Sequence, residues 1–311
     1  MKRASIIFNP FARNAPALER LRAAGGAFRK DGWEIEVLRT EASLHAVALA
    51  SEAAERGSEV VFACGGDGTV NEVVNGLAGK QAALGIIRGG TGNVFGKEVH
   101  VPRQFNDALG VLTDGEDYLF DIGQAGDRYF LLMAGIGFDG SVVRRVPTGP
   151  KRFLGTTSYV IWGAAEAVRF QSRHVNLLVD GKPEDIELYW LLVANTRSYG
   201  GVVDVASTAI ADDGLFDAYA FAGRSLPWML MTGSRIALRR HHGAPGVHFQ
   251  RAAKIEIVTP GIDVQADGEY FGQTPMTFAV IPRALTVRLP RGGARRLMSR
   301  PAVGRDAGPA A

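Results

Sequence analysis

Along the first 120 residues, short apolar runs alternate with stretches in which apolar side chains return every three or four positions. Ser5–Phe8, Glu34–Leu38, Glu59–Cys64 and Leu84–Ile87 have the length and apolar continuity of strands. Ala15–Lys30, Leu44–Arg56 and Thr69–Leu77 have helical spacing. Strands with apolar residues on both faces, each followed by a helix, predict a mostly parallel sheet covered on both sides.

The texture changes after Asp121. Tyr129–Met133, Val175–Val179, Glu187–Asn195, Phe216–Ala222, Lys254–Val258, Ile262–Ala266, Thr277–Ile281 and Ala284–Leu289 read as short strands. Turn dipeptides such as Asp180-Gly181 and Asp267-Gly268 separate them. Two helical patterns, Ser158–Phe170 and Pro227–Arg239, interrupt the series. The expected layout is an α/β domain over 1–120, completed by 286–298, and a mainly antiparallel β-sandwich over 121–285. Residues 299–311 lack periodicity and are expected to be disordered.

Composition narrows the class. Apolar residues are 46% and charged residues 22% of 311, enough for two cores. A formal charge of +3 is too mild to imply nucleic acid. A single cysteine, Cys64, excludes an internal disulfide and fits a reducing cytoplasm. The apolar run near the N-terminus is too short for a signal peptide, and no apolar stretch is long enough to span a bilayer. Any contact with a membrane is therefore expected to be peripheral.

Cys64-Gly65-Gly66-Asp67-Gly68-Thr69 lies between a buried strand and a helix. Glycines there let backbone approach a ligand, and the helix start offers N–H groups to an anion. Asp67 would repel phosphate unless a cation intervened, which implies Mg²⁺. The plain alternative is a turn with an Asp cap. Gly89-Gly90-Thr91-Gly92-Asn93 repeats the strand–loop–helix arrangement, and Asn9-Pro10 ends the first strand at the same sheet edge, where open α/β sheets bind ligands. No P-loop motif is present. Gly135-Ile136-Gly137-Phe138-Asp139-Gly140 matches the dinucleotide glycine pattern without the acidic residue about 20 positions on, so a tight turn is expected there.

Gly65-Gly66-Asp67-Gly68-Thr69, Gly90-Thr91-Gly92-Asn93, Asp212-Asp213-Gly214 and Asp267-Gly268-Glu269, in this order, resemble the diacylglycerol kinase catalytic-domain family. Its bacterial lipid kinases are the nearest branch, and sphingosine and ceramide kinases are relatives. The resemblance runs from Arg3 to Leu289. It implies a first domain like those of NAD kinase and phosphofructokinase, and ATP-dependent phosphorylation of a lipid hydroxyl. It also implies a nucleotide site on Asn9, Thr40, Gly65, Gly66, Asp67, Gly68, Thr69, Asn71, Glu72, Thr91 and Asn93. Glu269 would be the general base, with a structural Mg²⁺ at Asp213 and the carbonyls of Ile210 and Leu215. Val94 stands where many relatives carry Asp, and Phe11-Ala12-Arg13 replaces the small residues often found after Asn-Pro.

Taken alone, Glu269 could be a solvated turn residue and Asp212-Asp213-Gly214 an ordinary turn. His241 and His242 are adjacent and cannot share one helical face, so they form no metal cluster. No acidic residue occurs from Ala218 to Ile255, where Arg224, Arg235, Arg239, Arg240, Arg251 and Lys254 accompany Trp228 and Met231. With Arg144, Arg145, Lys151 and Arg152 they suit an anionic membrane surface, or else form a solvated basic face. The expected partner is a membrane lipid met at the inner face of a cytoplasmic membrane, with no nucleic acid. A homodimer stays open. The competing readings are an NAD kinase and a catalytically silent nucleotide-binding protein at the membrane surface.

Overall fold

The computed structural model describes residues 1–145, 166, 170–223 and 226–303. The chain divides into two compact units, 1–122 with 282–311, and 123–281.

In the first unit, β1 (Lys2–Phe8), β2 (Trp33–Arg39), β3 (Val60–Gly65) and β4 (Ala83–Arg88) are joined by α1 (Leu18–Phe28), α2 (His45–Glu55) and α3 (Asp67–Leu77). The strands pair in parallel in the order β2-β1-β3-β4. All six residues of β3 are buried, as a strand covered on both faces requires. Small residues draw α2 and α3 together: a Cβ on Gly76 would lie 2.4 Å from the Val47 carbonyl oxygen. Two helices, α4 (Val94–Glu98) and α5 (Phe105–Asp114), follow β4.

The second unit is built from antiparallel ladders. One layer runs β14 (Val247–Ala252), β13 (Phe216–Phe221), β10 (Trp190–Ala194), β7 (Met133–Gly137), β16 (Asp263–Ala266) and β17 (Glu269–Gln273). The other contains β15 (Lys254–Ile257), β8 (Arg173–Val179) and β9 (Lys182–Leu188). Val175, Leu177, Leu191, Val193, Phe216, Ile255, Val264 and Phe278 belong to their shared core. The fold class is thus an α/β domain with a mostly parallel sheet, followed by an antiparallel β-sandwich.

Two local expectations are corrected and a third holds. Tyr129–Met133 is not one strand. It breaks at Leu131-Leu132 between β6 (Arg128–Phe130) and β7, because those backbone N–H groups donate to the Asp267 carboxylate instead of a ladder. Thr277–Ile281 and Ala284–Leu289 are one strand, β18 (Met276–Leu289), which passes Pro282 because Arg283 takes a φ of 52° and its N–H finds Asp121 Oδ1 at 2.7 Å. β5 (Glu116–Ala125) pairs with it. The glycine pattern at 135–140 makes the expected tight turn, as β7 passes directly into α6 (Phe138–Arg145) with Gly137 at a φ of 87°.

The expected helix 158–170 and the basic residues Lys151 and Arg152 fall largely or wholly outside the described residues. The segment expected to be disordered from 299 carries a backbone hydrogen bond from Val303 to Asp117, and residues 304–311 lie outside the described residues. Among the described residues, no helix is long and apolar enough to cross a membrane.

Candidate active-site residues

In the first unit, the three loops expected at one sheet edge meet. Gly65 ends β3, and Gly66 opens α3 without a side-chain cap, so the first-turn N–H groups are not used by a capping side chain. The second loop lies backbone to backbone on the first. Gly89 N donates to Gly65 O at 2.8 Å, and a Cβ on Gly90 would lie 2.5 Å from Gly66 Cα. The third is tied to both. Asn9 Nδ2 donates to Thr69 Oγ1 at 3.0 Å, and Asn14 Nδ2 donates to Gly90 O at 3.0 Å.

Asp67 is the strut of this arrangement. Its Oδ1 accepts the N–H of Val94 at 2.6 Å, at the start of α4, and its Oδ2 lies against Gly92, where a Cβ would approach to 2.4 Å. Burial pushes its pKa up, against the lowering effect of the Val94 and Asn93 N–H groups. One carboxylate suits Mg²⁺, which keeps waters and takes further oxygens from substrate phosphates. Asn93 has a φ of 47° and hydrogen-bonds Gly90 through both side-chain atoms, which holds the loop shut on itself. Thr91 is exposed, while Thr40 is buried. Glu72 Oε2 accepts the N–H of Ala46 at 3.1 Å and so caps α2 from a distance. Asn71 is buried and accepts from Asn75 in its own helix. Glu72 is half-buried, as are Gly66, Asp67 and Gly68.

In the second unit, Asp267-Gly268 joins β16 to β17, with φ values of 51° and 82°. Positive φ at both central residues is the type I′ signature, which matches the twist of the flanking strands. Asp267 accepts the N–H groups of Leu131 and Leu132 at 2.8 Å each and of Met133 at 3.2 Å. Glu269 follows as the first residue of β17, with 24% of its side chain exposed. Arg128 Nη2 donates to Glu269 Oε2 at 3.2 Å.

Asp213 is already engaged. Its Oδ1 accepts the N–H of Leu215 at 3.1 Å, its Oδ2 pairs with Arg251 Nη2, and Arg251 Nε reaches the buried Asp217 at 3.2 Å. A guanidinium faces the carboxylate where the resemblance implies a cation, and it competes with a metal for that oxygen. Among the described residues there is no group of three or more His, Cys, Asp or Glu able to hold one. Ile210 and Leu215 flank the same turn.

The basic segments differ in character. Arg144 pairs with Asp263 at 3.1 Å and Arg145 with Glu166 at 2.9 Å. Trp228 turns inward: its ring covers Gly223 and its indole N–H donates to Pro245 O. By contrast, Leu238, just past α7 (Leu226–Ala237), is 66% exposed, and Val202 is 73% exposed in the turn joining β11 (Ser198–Tyr199) to β12 (Val203–Asp204). Arg239 pairs with Asp204 of that hairpin at 2.8 Å. Between the two layers of this unit, a cavity of about 270 Å³ is lined by Leu177, Ile186, Leu191 and Ile255 together with Glu184, His248 and Gln250, and Gln250 donates to Glu184.

Two features escape sequence reasoning. One is Arg128. The other is buried Asp139, only 4% exposed, which accepts Tyr199 Oη and Gln265 Nε2 at 2.6 Å each, while Gln265 Oε1 takes the N–H of Gly268. Gly135 lacks a side chain because Asp139 Oδ2 would lie 1.9 Å from its Cβ. The glycine pattern signals the junction, but its partners lie 60 and 126 residues away and leave no local mark.

Comparison with known proteins agrees with this architecture. Residues 3–125 match the diacylglycerol kinase catalytic domain, and residues 133–289 match the YegS C-terminal NAD kinase beta sandwich-like domain. The chain is 31% identical over 301 residues to a diacylglycerol kinase of Bacillus subtilis (strain 168), covering 96% of this chain and 99% of that protein. It is 30% identical over 292 residues to one of Staphylococcus aureus (strain MRSA252), covering 93% of each. A diacylglycerol kinase crystal structure from Bacillus anthracis str. Sterne shares the fold with a TM-score of 0.67 at 22% identity, over 92% of this chain and 96% of that one.

Proposed function

Because the chain belongs to the diacylglycerol kinase family, and is a lipid kinase, we propose that it transfers the γ-phosphoryl group of ATP to the free hydroxyl of diacylglycerol or a closely related lipid alcohol. The observation that carries this reading is the junction of three backbone-tied loops around the uncapped N-terminus of α3. Such a junction suits nucleotide phosphates, through N–H donors and the helix dipole.

Asp67 would hold Mg²⁺, and that ion would neutralise phosphate charge during transfer. Glu269 takes the proton of the acceptor hydroxyl. In a loose phosphoryl-transfer transition state, that proton moves late, so the carboxylate acts mainly by orienting the oxygen. Exposed Val202, Met231 and Leu238, near Arg235, Arg239 and Arg240, support reversible contact with an anionic bilayer.

The test is incubation with labelled ATP and Mg²⁺, with either NAD or diacylglycerol in phosphatidylglycerol vesicles. Label should enter the organic phase as a phosphorylated lipid, and NAD should stay unlabelled. Activity on vesicles should fall as salt rises, because the Debye length is only about 8 Å at physiological ionic strength. Activity on a dispersed short-chain diacylglycerol should fall less. Label found in NAD alone, or in neither, overturns the reading. Equal salt dependence on both lipid forms removes the bilayer contact and leaves the reaction standing.

A further inference from the structure

We infer that Arg128 is a positioning residue for Glu269, holding one carboxylate oxygen so that the other is presented to the acceptor hydroxyl. This rests on the reading of Glu269 as the base.

The geometry is built from backbone outward. Arg128 is the first residue of β6, just past the Gly126-Asp127 turn, and it pairs across that hairpin with Ala125. Glu269 and Phe271 both belong to β17, whose pairing with β16 shifts register at Phe271, between Tyr270 and Gly272. The guanidinium lies over both: Nη2 donates to Glu269 Oε2 at 3.2 Å, and its central carbon lies 3.9 Å from the centre of the Phe271 ring. A planar cation fits this pair of contacts, since one nitrogen reaches the carboxylate while the flat face rests on the ring.

Both segments are fixed close to the contact. The Asp267 carboxylate accepts the N–H groups of Leu131, Leu132 and Met133, and Asp267 N donates to Met133 O at 3.0 Å. Gly268 N is held by Gln265. The residues just after Arg128 and just before Glu269 are therefore stitched together by the Asp267 carboxylate and one backbone hydrogen bond, and neither strand can slide without breaking them.

With 33% of Arg128 and 24% of Glu269 side chain exposed, the pair is partly screened and is a weak source of stability. Its value is geometric. A glutamate side chain has several free rotors, and a carboxylate that must meet one hydroxyl loses rate when it wanders. The always-charged guanidinium pins Oε2 and leaves Oε1 for the acceptor.

The experiment is a double-mutant cycle on the full chain with a short-chain diacylglycerol, in which kcat and lipid KM are measured separately. Arg128→Gln should lower kcat about tenfold to a hundredfold, with lipid KM and melting temperature nearly unchanged. Arg128→Lys should recover part of the loss, and Phe271→Leu should lower kcat by less than Arg128→Gln. In a Glu269→Gln background, Arg128→Gln should have little further effect, because there is no base left to orient. Wild-type kcat in Arg128→Gln overturns the inference, as does a loss that multiplies in full with that of Glu269→Gln. If Arg128→Gln does not fold, the same cycle is run with Arg128→Lys. Wild-type turnover in Glu269→Gln alone is a separate result, which removes the base assignment itself.

Discussion

Burying the carboxylate of Asp67 disfavours its ionised form, and its use toward phosphate and metal needs that form. Its pKa is raised because burial outweighs the N–H groups of Val94 and Asn93. A carboxyl group whose folded-state pKa is raised binds its proton more tightly when folded. Its contribution to stability is present at low pH and is lost as pH climbs from the unfolded value through the folded one. At neutral pH, Asp67→Asn should therefore melt no lower than the natural protein, since its Oδ1 can still accept from Val94. Turnover should nevertheless fall by orders of magnitude, and calorimetry beside the labelled-ATP assay reads both. An Asn variant with near-normal turnover would remove Asp67 from the reaction. Asp67 stands out in the sequence because glycines flank it, whereas Glu269 stands out only through the family resemblance that Asp267-Gly268-Glu269 carries. Arg128 and Gln265 do not, since each acts on a residue or turn brought near only by folding.

The loops show how an element is made from what it omits. Gly66 and Gly90 touch through their backbones, and a side chain at Gly90 must push the loops apart. Gly90→Ala would place a carbon 2.5 Å from Gly66 Cα, against backbone that cannot rotate away. Overpacking of this kind costs about 1–3 kcal/mol. The melting temperature should drop by several degrees, and ATP affinity should weaken. An alanine variant that binds ATP as the natural protein does would show that the contact is not needed for the nucleotide. Hairpins Asp180-Gly181 and Asp267-Gly268 are legible in sequence, because a two-residue I′ turn demands those residue types. The interruption at Leu131-Leu132 is not legible. It depends on a carboxylate more than 130 residues away. The continuity of β18 through Pro282 likewise depends on Asp121.

Over the whole chain, alternation of strand and helix in the first third and short strands thereafter made the two architectures readable. Charge balance inside the second unit was less so. The Asp213 motif reads as a cation site, and Arg251, drawn from β14, already faces its carboxylate. Arg251 also faces Asp217, which is buried and whose pKa burial pushes up. Chelating Mg²⁺ should therefore leave the melting temperature of the ATP-free protein unchanged. Arg251→Met should lower stability by about 1–3 kcal/mol, less than for a fully buried pair because Arg251 is partly exposed. If chelation alone destabilises the protein, a metal shares that turn after all.

Cys64 lies fully buried at the end of β3, with its thiol pushed up to about 12 by burial. Little thiolate is present at neutral pH, so the one sulfur of its kind in the chain is silent toward maleimides and iodoacetamides. The natural sequence thus already serves as a cysteine-free background. A single cysteine introduced at Val202 or Leu238 would accept one fluorophore at one place, and its emission would report directly whether that surface leaves water when vesicles are added.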